Sequence, residues 1–308
     1  MSRIDEALRQ AGLKSEEKRP DETPNGLDSL AVFPERESAE LHEPGPAASK
    51  VVAAPRIDRP PTENRRYFPV TEKLVIHDAT GPACVEQYRR IAGTLHQLQE
   101  ERGLKVLMVA SAQVGEGKTL TAANLALTLS ESYRRRVLLI DADLRRPSLS
   151  ALFRIQRISG LSECLQGPSN SPLRVVELSE CLALLPSGKP TQDPMAGLTS
   201  GRMQRILEQA AADYEWVIVD TPPVSLQPDA NLIAPMVEGI VFVIGAGLSQ
   251  RPVILSSIDA IGRDKIVGVV INRVDPATLD STAYYEYYNN QHPVAPRSSP
   301  VSRDAVKT

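Results

Sequence analysis

The segment from Val106 to Thr121 carries residues suited to holding a polyphosphate, in the sequence VLMVASAQVGEGKTLT. Its glycines allow backbone amides to approach phosphate oxygens closely. Lys118 can reach the β- and γ-phosphates, and the hydroxyl of Thr119 can bind Mg²⁺. The motif G-x-x-x-x-G-K-[ST] is matched except at its first glycine, where this chain has Ala112. The residues predicted to contact ATP are Val114, Gly115, Glu116, Gly117, Lys118, Thr119 and Leu120.

An ordinary strand-to-helix turn with a surface lysine is the alternative to a phosphate site. Carboxylates that follow two later apolar runs favour the phosphate site, because acidic oxygens are the ligands that Mg²⁺ prefers. The run from Val137 to Ile140 is followed by Asp141 and Asp143. The run from Trp216 to Val219 is followed by Asp220, as in a Walker B strand whose carboxylate holds the metal ion through water. The predicted metal-site residues are Thr119, Asp141 and Asp220.

The position of Asp143 depends on the backbone that follows the strand. Asp141 is predicted to face the metal ion and its waters, because ligands bind at the carboxyl ends of parallel strands. Asp143 points to the same side if the extended conformation continues. The alternative is a strand followed by an Asx turn.

Four of the eight tyrosines lie within five residues, in the segment AYYEYYNN from Ala283 to Asn290. Their spacing of i, i+1, i+3 and i+4 covers too many directions for one buried face. We therefore predict an accessible tail of phosphate acceptors; the alternative is an aromatic patch that docks on the domain or on a partner. The predicted phosphoacceptors are Tyr284, Tyr285, Tyr287 and Tyr288.

Phosphoryl transfer to tyrosine requires help, because the phenol has a pKa of about 10. A carboxylate must lie near the hydroxyl, and the charge of the γ-phosphate must be neutralised. Asp143 is the candidate carboxylate, and Lys118 with Mg²⁺ supplies the neutralisation. Added phosphates repel one another and favour release of the tail or loosening of an assembly. The predicted catalytic residues are Lys118, Asp141 and Asp143.

Strand-length apolar runs alternate with amphipathic helical segments up to Asn272. This alternation predicts an α/β fold with a mostly parallel sheet covered by helices on both faces. Residues 148–200 are predicted to hold loops, short helices and one strand. The other predicted strands are 106–109, 136–140, 215–220, 240–244 and 265–272, and the predicted helices are 83–101, 118–133, 203–212, 230–237 and 253–262.

Composition divides the 308 residues into four segments. Residues 1–13 have apolar side chains spaced on one helical face, and this pattern predicts a docking helix or a weakly ordered terminal helix. Residues 14–80 are rich in proline and charge, and predict a disordered linker. Residues 81–274 are the predicted nucleotide-binding domain, and residues 275–308 are a predicted flexible tail.

Charge and hydropathy exclude several classes of protein. The net charge of -3 and the pI near 5.9 argue against general nucleic-acid binding. No apolar run approaches the roughly 18 residues of a membrane-spanning helix, and the charged amino terminus lacks a signal sequence. The odd cysteine count suits a reducing compartment. We therefore expect a cytoplasmic protein unless a partner holds it at a membrane.

The chain resembles the bacterial tyrosine kinases of polysaccharide synthesis, which are related to the MinD/ParA group of P-loop ATPases. The resemblance covers about residues 81–272 and the tyrosine tail. It rests on the Walker A-like segment Ala112 to Thr119, on LLIDADLRRP (Leu138 to Pro147) and on VIVDTPP (Val217 to Pro223). The phrases GLSECLQG, LLPSGKPTQDP and PDANLI are also similar to this family, and GVVIN ends in Asn272.

The resemblance implies a P-loop fold and an ATP- and Mg²⁺-dependent tyrosine autokinase that regulates exopolysaccharide polymerisation and export. It implies that Asn272 reads the adenine. It also implies two partners, a transmembrane chain-length protein that activates the kinase and a phosphotyrosine phosphatase. The opening MSRIDEALRQAG is similar to that of stand-alone kinase subunits. The expected lack of a membrane segment is consistent with that form.

One departure concerns assembly. The family helix often reads E-x-x-R-x-x-R and builds a ring; here Glu86 and Arg89 match, but the third position is Ala92. Arg90 is adjacent to Arg89 but points about 100° away from it on a helix, so it does not simply replace the missing arginine. Whether the chain forms a homo-oligomer is therefore left open. Two alternatives to a kinase remain. One is a MinD/ParA-like ATPase switch or scaffold without tyrosine transfer, and the other is a non-enzymatic adaptor whose tail and amino-terminal helix bind a membrane partner.

Overall fold

A computed structural model describes residues 57–58, 74–75, 82–156, 158–168, 173–191 and 193–274. Within these residues, nine strands form two sheets. The strands are β1 (Ile57–Asp58), β2 (Val106–Ser111), β3 (Val137–Asp141), β4 (Leu173–Arg174), β5 (Val176–Glu177), β6 (Leu182–Leu185), β7 (Trp216–Asp220), β8 (Gly239–Gly245) and β9 (Ile266–Asn272).

Helices occupy most of the connections between these strands. Two short 3-10 helices, Ala234–Met236 and Arg263–Lys265, also occur in the described part of the chain. The α-helices are α1 (Pro82–Arg102), α2 (Lys118–Glu131), α3 (Leu149–Leu152), α4 (Leu161–Gln166), α5 (Met195–Thr199), α6 (Arg202–Asp213), α7 (Asp229–Ile233) and α8 (Arg251–Ile261).

The main sheet has seven strands in the order β5-β6-β3-β7-β2-β8-β9. All neighbours run parallel except β5, which pairs antiparallel with β6. β2 and β3 follow one another in sequence but are separated by β7, so the strand order reverses beside β2. Ligands of open α/β sheets bind at such a switch point, outside the carboxyl ends of the strands.

The apolar core lies on both faces of this sheet. Alternate residues of β2 contribute to opposite faces: Met108 packs in one buried cluster and Leu107 in the other. Helices α1 and α2 cover the face of Leu107, and α6 covers the opposite face. The predicted α/β fold with a mostly parallel, doubly covered sheet is therefore confirmed.

Helix α6 shows how the sequence pattern leads to this packing. Its buried residues recur at spacings of three and four, which places them on one side of the helix. The polar residues between them, Gln204 and Glu208 among others, are exposed and pair with each other. The buried residues are Met203, Ile206, Leu207 and Ala210.

Two segments of the predicted disordered linker, 14–80, are ordered. β1 pairs in parallel with β4, so residues 57–58 belong to a sheet. Leu74 is fully buried, and the N–H of Val75 donates to Asn124 Oδ1 at 3.0 Å. Leu74 belongs to the same buried apolar cluster as residues of α1 and α2, which are far from it in sequence.

Other predictions differ in detail or lie outside the described residues. The interval 148–200 contains β4 and β5 in addition to the single predicted strand. The predicted helix 230–237 is a shorter α7 followed by a 3-10 turn containing Pro235, which lacks the N–H that a continued helix needs. The docking helix 1–13 and the tyrosine tail 275–308 lie outside the described residues.

Candidate active site

The carboxyl ends of β2, β3 and β7 bring the predicted site residues together. β7 lies between the other two strands, and Asp141 of β3 is in register with Asp220 of β7. The loop that follows β2, residues 112–117 (the phosphate loop), leads directly into α2 at Lys118. Residues from three separate parts of the sequence therefore meet at the switch point of the sheet.

The phosphate loop depends on two glycines in the left-handed region. Gly115 has φ 86° and Gly117 has φ 96°, a backbone conformation that disfavours other residues. A Cβ on Gly117 would also lie 1.9 Å from Nδ2 of Asn272. Ala112 is fully buried and is not among the described residues with positive φ, so the first motif position accepts alanine without strain.

Lys118 is a buried cation at the start of α2. Its Nζ donates to Oδ1 of Asp220 at 2.9 Å and to Oγ1 of Thr119 at 3.2 Å. The Asp220 side chain is fully buried and that of Lys118 is 8% exposed. This pair joins the phosphate loop to the end of β7, and charges this deep in a protein require such partners.

Two carboxylate oxygens at the site are buried without a hydrogen-bond partner in the described residues. Asp141 accepts the N–H groups of Ser148 at 3.2 Å and Leu149 at 3.0 Å through Oδ2, whereas its Oδ1 has no donor. Oδ2 of Asp220 also has no donor. Unsatisfied buried acceptors are rare in folded proteins, and two of them on adjacent strands fit a cation and its waters.

These carboxylates fit Mg²⁺ better than a metal held by protein ligands alone. The described residues contain no group of three or more His, Cys, Asp or Glu side chains arranged to hold a metal ion. Mg²⁺ is typically bound by one or two carboxylates together with waters and substrate phosphates. Asp141, Asp220 and the hydroxyl of Thr119 match that ligand set.

Burial makes Asp141 a weak acid for an aspartate. Desolvation raises its pKa to about 7, and the neighbouring charge of Asp220 contributes in the same direction. The N–H of Leu149 and the charge of Lys118 oppose this shift but do not cancel it. A positive charge at the site would therefore favour the ionised form of Asp141.

Asp143 lies close to this cluster in a turn. β3 ends at Asp141, and Oδ1 of Asp143 accepts the N–H of Arg146 at 3.0 Å. This local hydrogen bond precedes a bend over residues 144–146, while the N–H of Ala142 still donates to the carbonyl oxygen of Asp220 at 2.8 Å, as in the sheet. Burial raises the pKa of Asp143, and the charges of Lys118 and Asp220 also act on it.

The ion pair between Arg145 and Asp229 was not predicted from the sequence. Arg145 Nε donates to Asp229 Oδ2 at 2.9 Å, and Nη2 donates to Oδ1 at 3.2 Å. The Asp229 side chain is 1% exposed. This bidentate pair joins the turn after β3 to helix α7. The phrases LLIDADLRRP and PDANLI contain the two residues, and no local pattern indicates that they meet.

Asn272 ends β9 and lies against the phosphate loop. Its Nδ2 donates to the carbonyl oxygen of Glu116 at 2.9 Å. The asparagine that the resemblance assigns to adenine recognition is therefore in contact with the loop assigned to the phosphates. Val114 on the same loop is 59% exposed.

The chain matches a known domain family and several known proteins. A family model described as the CobQ/CobB/MinD/ParA nucleotide binding domain matches residues 107–305. The tyrosine-protein kinase YwqD of Bacillus subtilis (strain 168) is 33% identical over 209 residues, which cover 67% of this chain and 86% of YwqD. The succinoglycan biosynthesis transport protein ExoP of Rhizobium meliloti (strain 1021) is 30% identical over 207 residues, covering 65% of this chain and 26% of ExoP.

A solved structure agrees with these sequence relatives. The kinase domain of the Escherichia coli tyrosine kinase ETK matches with a TM-score of 0.60 and 26% identity. The match covers 72% of this chain and 91% of the ETK domain.

Proposed function

Because this chain belongs to the bacterial tyrosine kinases, within the CobQ/CobB/MinD/ParA family of nucleotide-binding domains, we propose that it transfers the γ-phosphate of ATP to tyrosines of its own carboxy-terminal cluster. The observation that supports this most strongly is the buried cluster of Lys118, Asp141 and Asp220. Its cation and its unsatisfied carboxylate oxygens provide what phosphoryl transfer needs, namely positioning and charge neutralisation.

Each group in the cluster has a distinct role in this proposal. The backbone amides of the phosphate loop and the Lys118 ammonium bind the phosphates of ATP. Thr119, Asp141 and Asp220 would hold Mg²⁺, which neutralises charge on the β- and γ-phosphates when it is bound. Asn272, whose side chain donates to the Glu116 carbonyl oxygen of the phosphate loop, would contact the adenine.

Asp143 is the proposed general base. The tyrosine oxygen attacks the γ-phosphorus, the bond from that phosphorus to the β–γ bridging oxygen breaks, and ADP leaves. The phenolic proton passes to the Asp143 carboxylate. The raised pKa of Asp143 favours this role, because a base works best when its pKa approaches the working pH.

Four tyrosines, at positions 284, 285, 287 and 288, are the proposed acceptors. The test is the intact mass of the purified protein before and after incubation with Mg-ATP. We expect steps of one phosphate that localise to residues 283–290. A Lys118→Met variant should show none, because the γ-phosphate then lacks its cation. A variant with all four tyrosines changed to phenylalanine should retain ATP hydrolysis but show no added mass.

Continued ATP binding and hydrolysis without any phosphotyrosine would favour the ATPase-switch alternative. That experiment needs one further arm, because we propose that a transmembrane chain-length protein activates the kinase. Adding the cytoplasmic segment of such a partner should increase phosphate incorporation. If neither condition yields phosphotyrosine, tyrosine transfer is refuted and nucleotide switching remains.

Support for a membrane partner comes from ExoP, of which this chain matches only 26%. A related segment within a longer biosynthesis transport protein is consistent with a separate partner here. No helix in the described residues is long and apolar enough to cross a bilayer. We propose that the partner holds the kinase at the inner face of the cell membrane, that the reaction regulates exopolysaccharide assembly, and that a phosphotyrosine phosphatase reverses it.

The proposed homo-oligomer is not supported by the motif on α1. Ala92, which occupies the third motif position, is fully buried against the core. Glu86 lies within 3.9 Å of Arg89 and 3.7 Å of Arg90, so its carboxylate has charged neighbours on its own helix. Sedimentation of the purified chain with and without Mg-ATP would test for assembly.

A further inference from the structure

Glu116 is a fully buried carboxylate within the phosphate loop. The motif places no restriction on this position, so the pattern assigns its side chain no role. In the structure the side chain lies in the protein interior, where three donors surround it. Oε2 accepts the N–H of Gln113 at 2.7 Å. Oε1 accepts the hydroxyl of Ser249 at 2.9 Å and the N–H of Gly245 at 3.3 Å.

These contacts connect the phosphate loop to a second loop. The bond to Gln113 closes the phosphate loop across its own turn. The bonds to Gly245 and Ser249 reach the turn between β8 and α8 (residues 245–249, the β8 turn). The two loops pack closely, because a Cβ on Gly245 would lie 3.3 Å from the Cα of Glu116.

The backbone of the same residue contacts a third segment. The carbonyl oxygen of Glu116 accepts Nδ2 of Asn272 at the end of β9. Glu116 therefore joins the phosphate loop, the β8 turn and the asparagine proposed to read the base. The phosphate end and the base end of a nucleotide would both depend on where this residue lies.

Burying a carboxylate contributes less to the stability of a loop than burying an apolar side chain does. Its desolvation is unfavourable unless several hydrogen bonds compensate it, and an apolar residue of similar size often stabilises a fold as well or better. The three donors around Glu116 instead specify one conformation, because a displaced loop would leave them buried without an acceptor. These hydrogen bonds therefore fix the conformation of the phosphate loop more than they stabilise the fold.

We propose that Glu116 is a positioning residue for nucleotide binding. It holds residues 113–117 in the conformation that accepts phosphates and fixes that loop relative to the β8 turn and Asn272. The proposal rests on the proposed ATP site but not on tyrosine as the acceptor. Loss of the carboxylate should weaken nucleotide binding and raise the KM for ATP, while kcat at saturating ATP changes by less than about threefold.

The test measures the affinity of the full-length protein for Mg-ADP and for a slowly hydrolysed Mg-ATP analogue by calorimetry. We expect Glu116→Ala to weaken both by about tenfold or more, since it leaves three buried donors unpaired. Glu116→Gln keeps one acceptor atom and should weaken binding by about three- to tenfold. Ser249→Ala removes one donor outside the phosphate loop and should cost about threefold.

Glu215→Ala is the matched control. Glu215 also accepts a backbone N–H and a side-chain donor from another segment, from Arg136 and Arg135, but at the amino end of the strands. It should lower the melting temperature and leave nucleotide affinity unchanged. Wild-type nucleotide affinity in both Glu116→Gln and Ser249→Ala, with melting temperatures lowered as in the control, would overturn the proposal.

The proposed function and this proposal fail in different ways. If the wild-type chain binds nucleotide but transfers no phosphate to tyrosine, the kinase assignment fails and the role of Glu116 is still measured by affinity. If Glu116→Ala does not fold, Glu116→Gln and Ser249→Ala still decide the outcome, because each removes only part of the contact.

Discussion

The two ends of the parallel strands carry carboxylates in opposite circumstances. At the amino end, Glu215 pairs with the Arg135 guanidinium at 2.9 Å and accepts the N–H of Arg136 at 2.9 Å. Its pKa is lowered, chiefly by the Arg136 N–H. At the carboxyl end, burial raises the pKa of Asp141 and of Asp143, and one oxygen of Asp141 lacks a donor.

The difference shows what each end contributes. Carboxylates at the amino end are satisfied by the protein itself, so they stabilise the folded chain. Asp141 and Asp220 at the carboxyl end are only partly satisfied, and the remaining oxygen of each fits a cation. Buried groups with raised pKa values concentrate at functional sites. Their burial lowers the stability of the folded protein until a ligand binds and compensates it.

The largest expected effect is on activity, from Asp143→Asn. Asparagine can still accept the Arg146 N–H, so the turn should persist while the base is lost. We expect the rate of phosphate transfer to fall by about 10²- to 10⁴-fold with nucleotide affinity unchanged. Single-turnover transfer followed by intact mass measures the rate. A variant with more than about a third of the wild-type rate would remove Asp143 from catalysis.

The second prediction is a gain of stability at the carboxyl end. Because the folded pKa of Asp141 is about 7 against an ordinary value of 3.8, its favourable contribution is present below pH 3.8 and is lost as pH rises to 7. Asp141→Asn should therefore raise the free energy of unfolding at pH 8, without metal, by up to about 4 kcal/mol. The gain should shrink toward pH 4.

Urea unfolding in a chelator at pH 4, 6 and 8 measures this difference. The same variant should lose Mg-ATP-dependent transfer, since a metal-site oxygen is replaced. Equal loss of stability at every pH would show that the Asp141 carboxylate is fully satisfied by its neighbours.

Asp229→Asn sharpens the comparison because Asp229 lies at the carboxyl end yet is paired. Its buried bidentate bond to Arg145 is of the kind seen at the amino end. We expect this variant to lose about 2 kcal/mol of unfolding free energy at pH 7, since asparagine leaves the guanidinium poorly matched. Denaturant unfolding measures this loss. If the free energy of unfolding rises instead, as expected for Asp141→Asn, then the position of a carboxylate on the sheet, and not its pairing, decides whether its replacement stabilises the protein.

The smallest effect is expected from Glu215→Ala at the amino end. A partly exposed pair with one backbone hydrogen bond contributes about 1 kcal/mol. Because the pKa of Glu215 is lowered, this contribution is present at neutral pH and is lost as pH falls through the folded pKa. Thermal unfolding at pH 7 and pH 3 measures the change. Altered phosphate transfer at neutral pH would show that the two ends are coupled.

Local patterns were sufficient for much of the site. The glycines before Lys118, the apolar runs ending in Asp141 and Asp220, and the alternation of strand and helix each depend on neighbouring residues. Strand and helix periodicity and the turn requirement for glycine are likewise local, so the sequence predicts them. The resemblance placed Asn272 at the nucleotide, and the structure places it against the phosphate loop.

Contacts between distant residues required the fold. Arg145 and Asp229 are 84 positions apart, and Glu116 and Ser249 are 133 apart. The residue types and their local spacing were enough to predict the chemistry available at the site and the elements that carry it. Which carboxylates are paired and which keep unsatisfied oxygens depends on the fold, because pairing and burial follow from the order in which the strands meet.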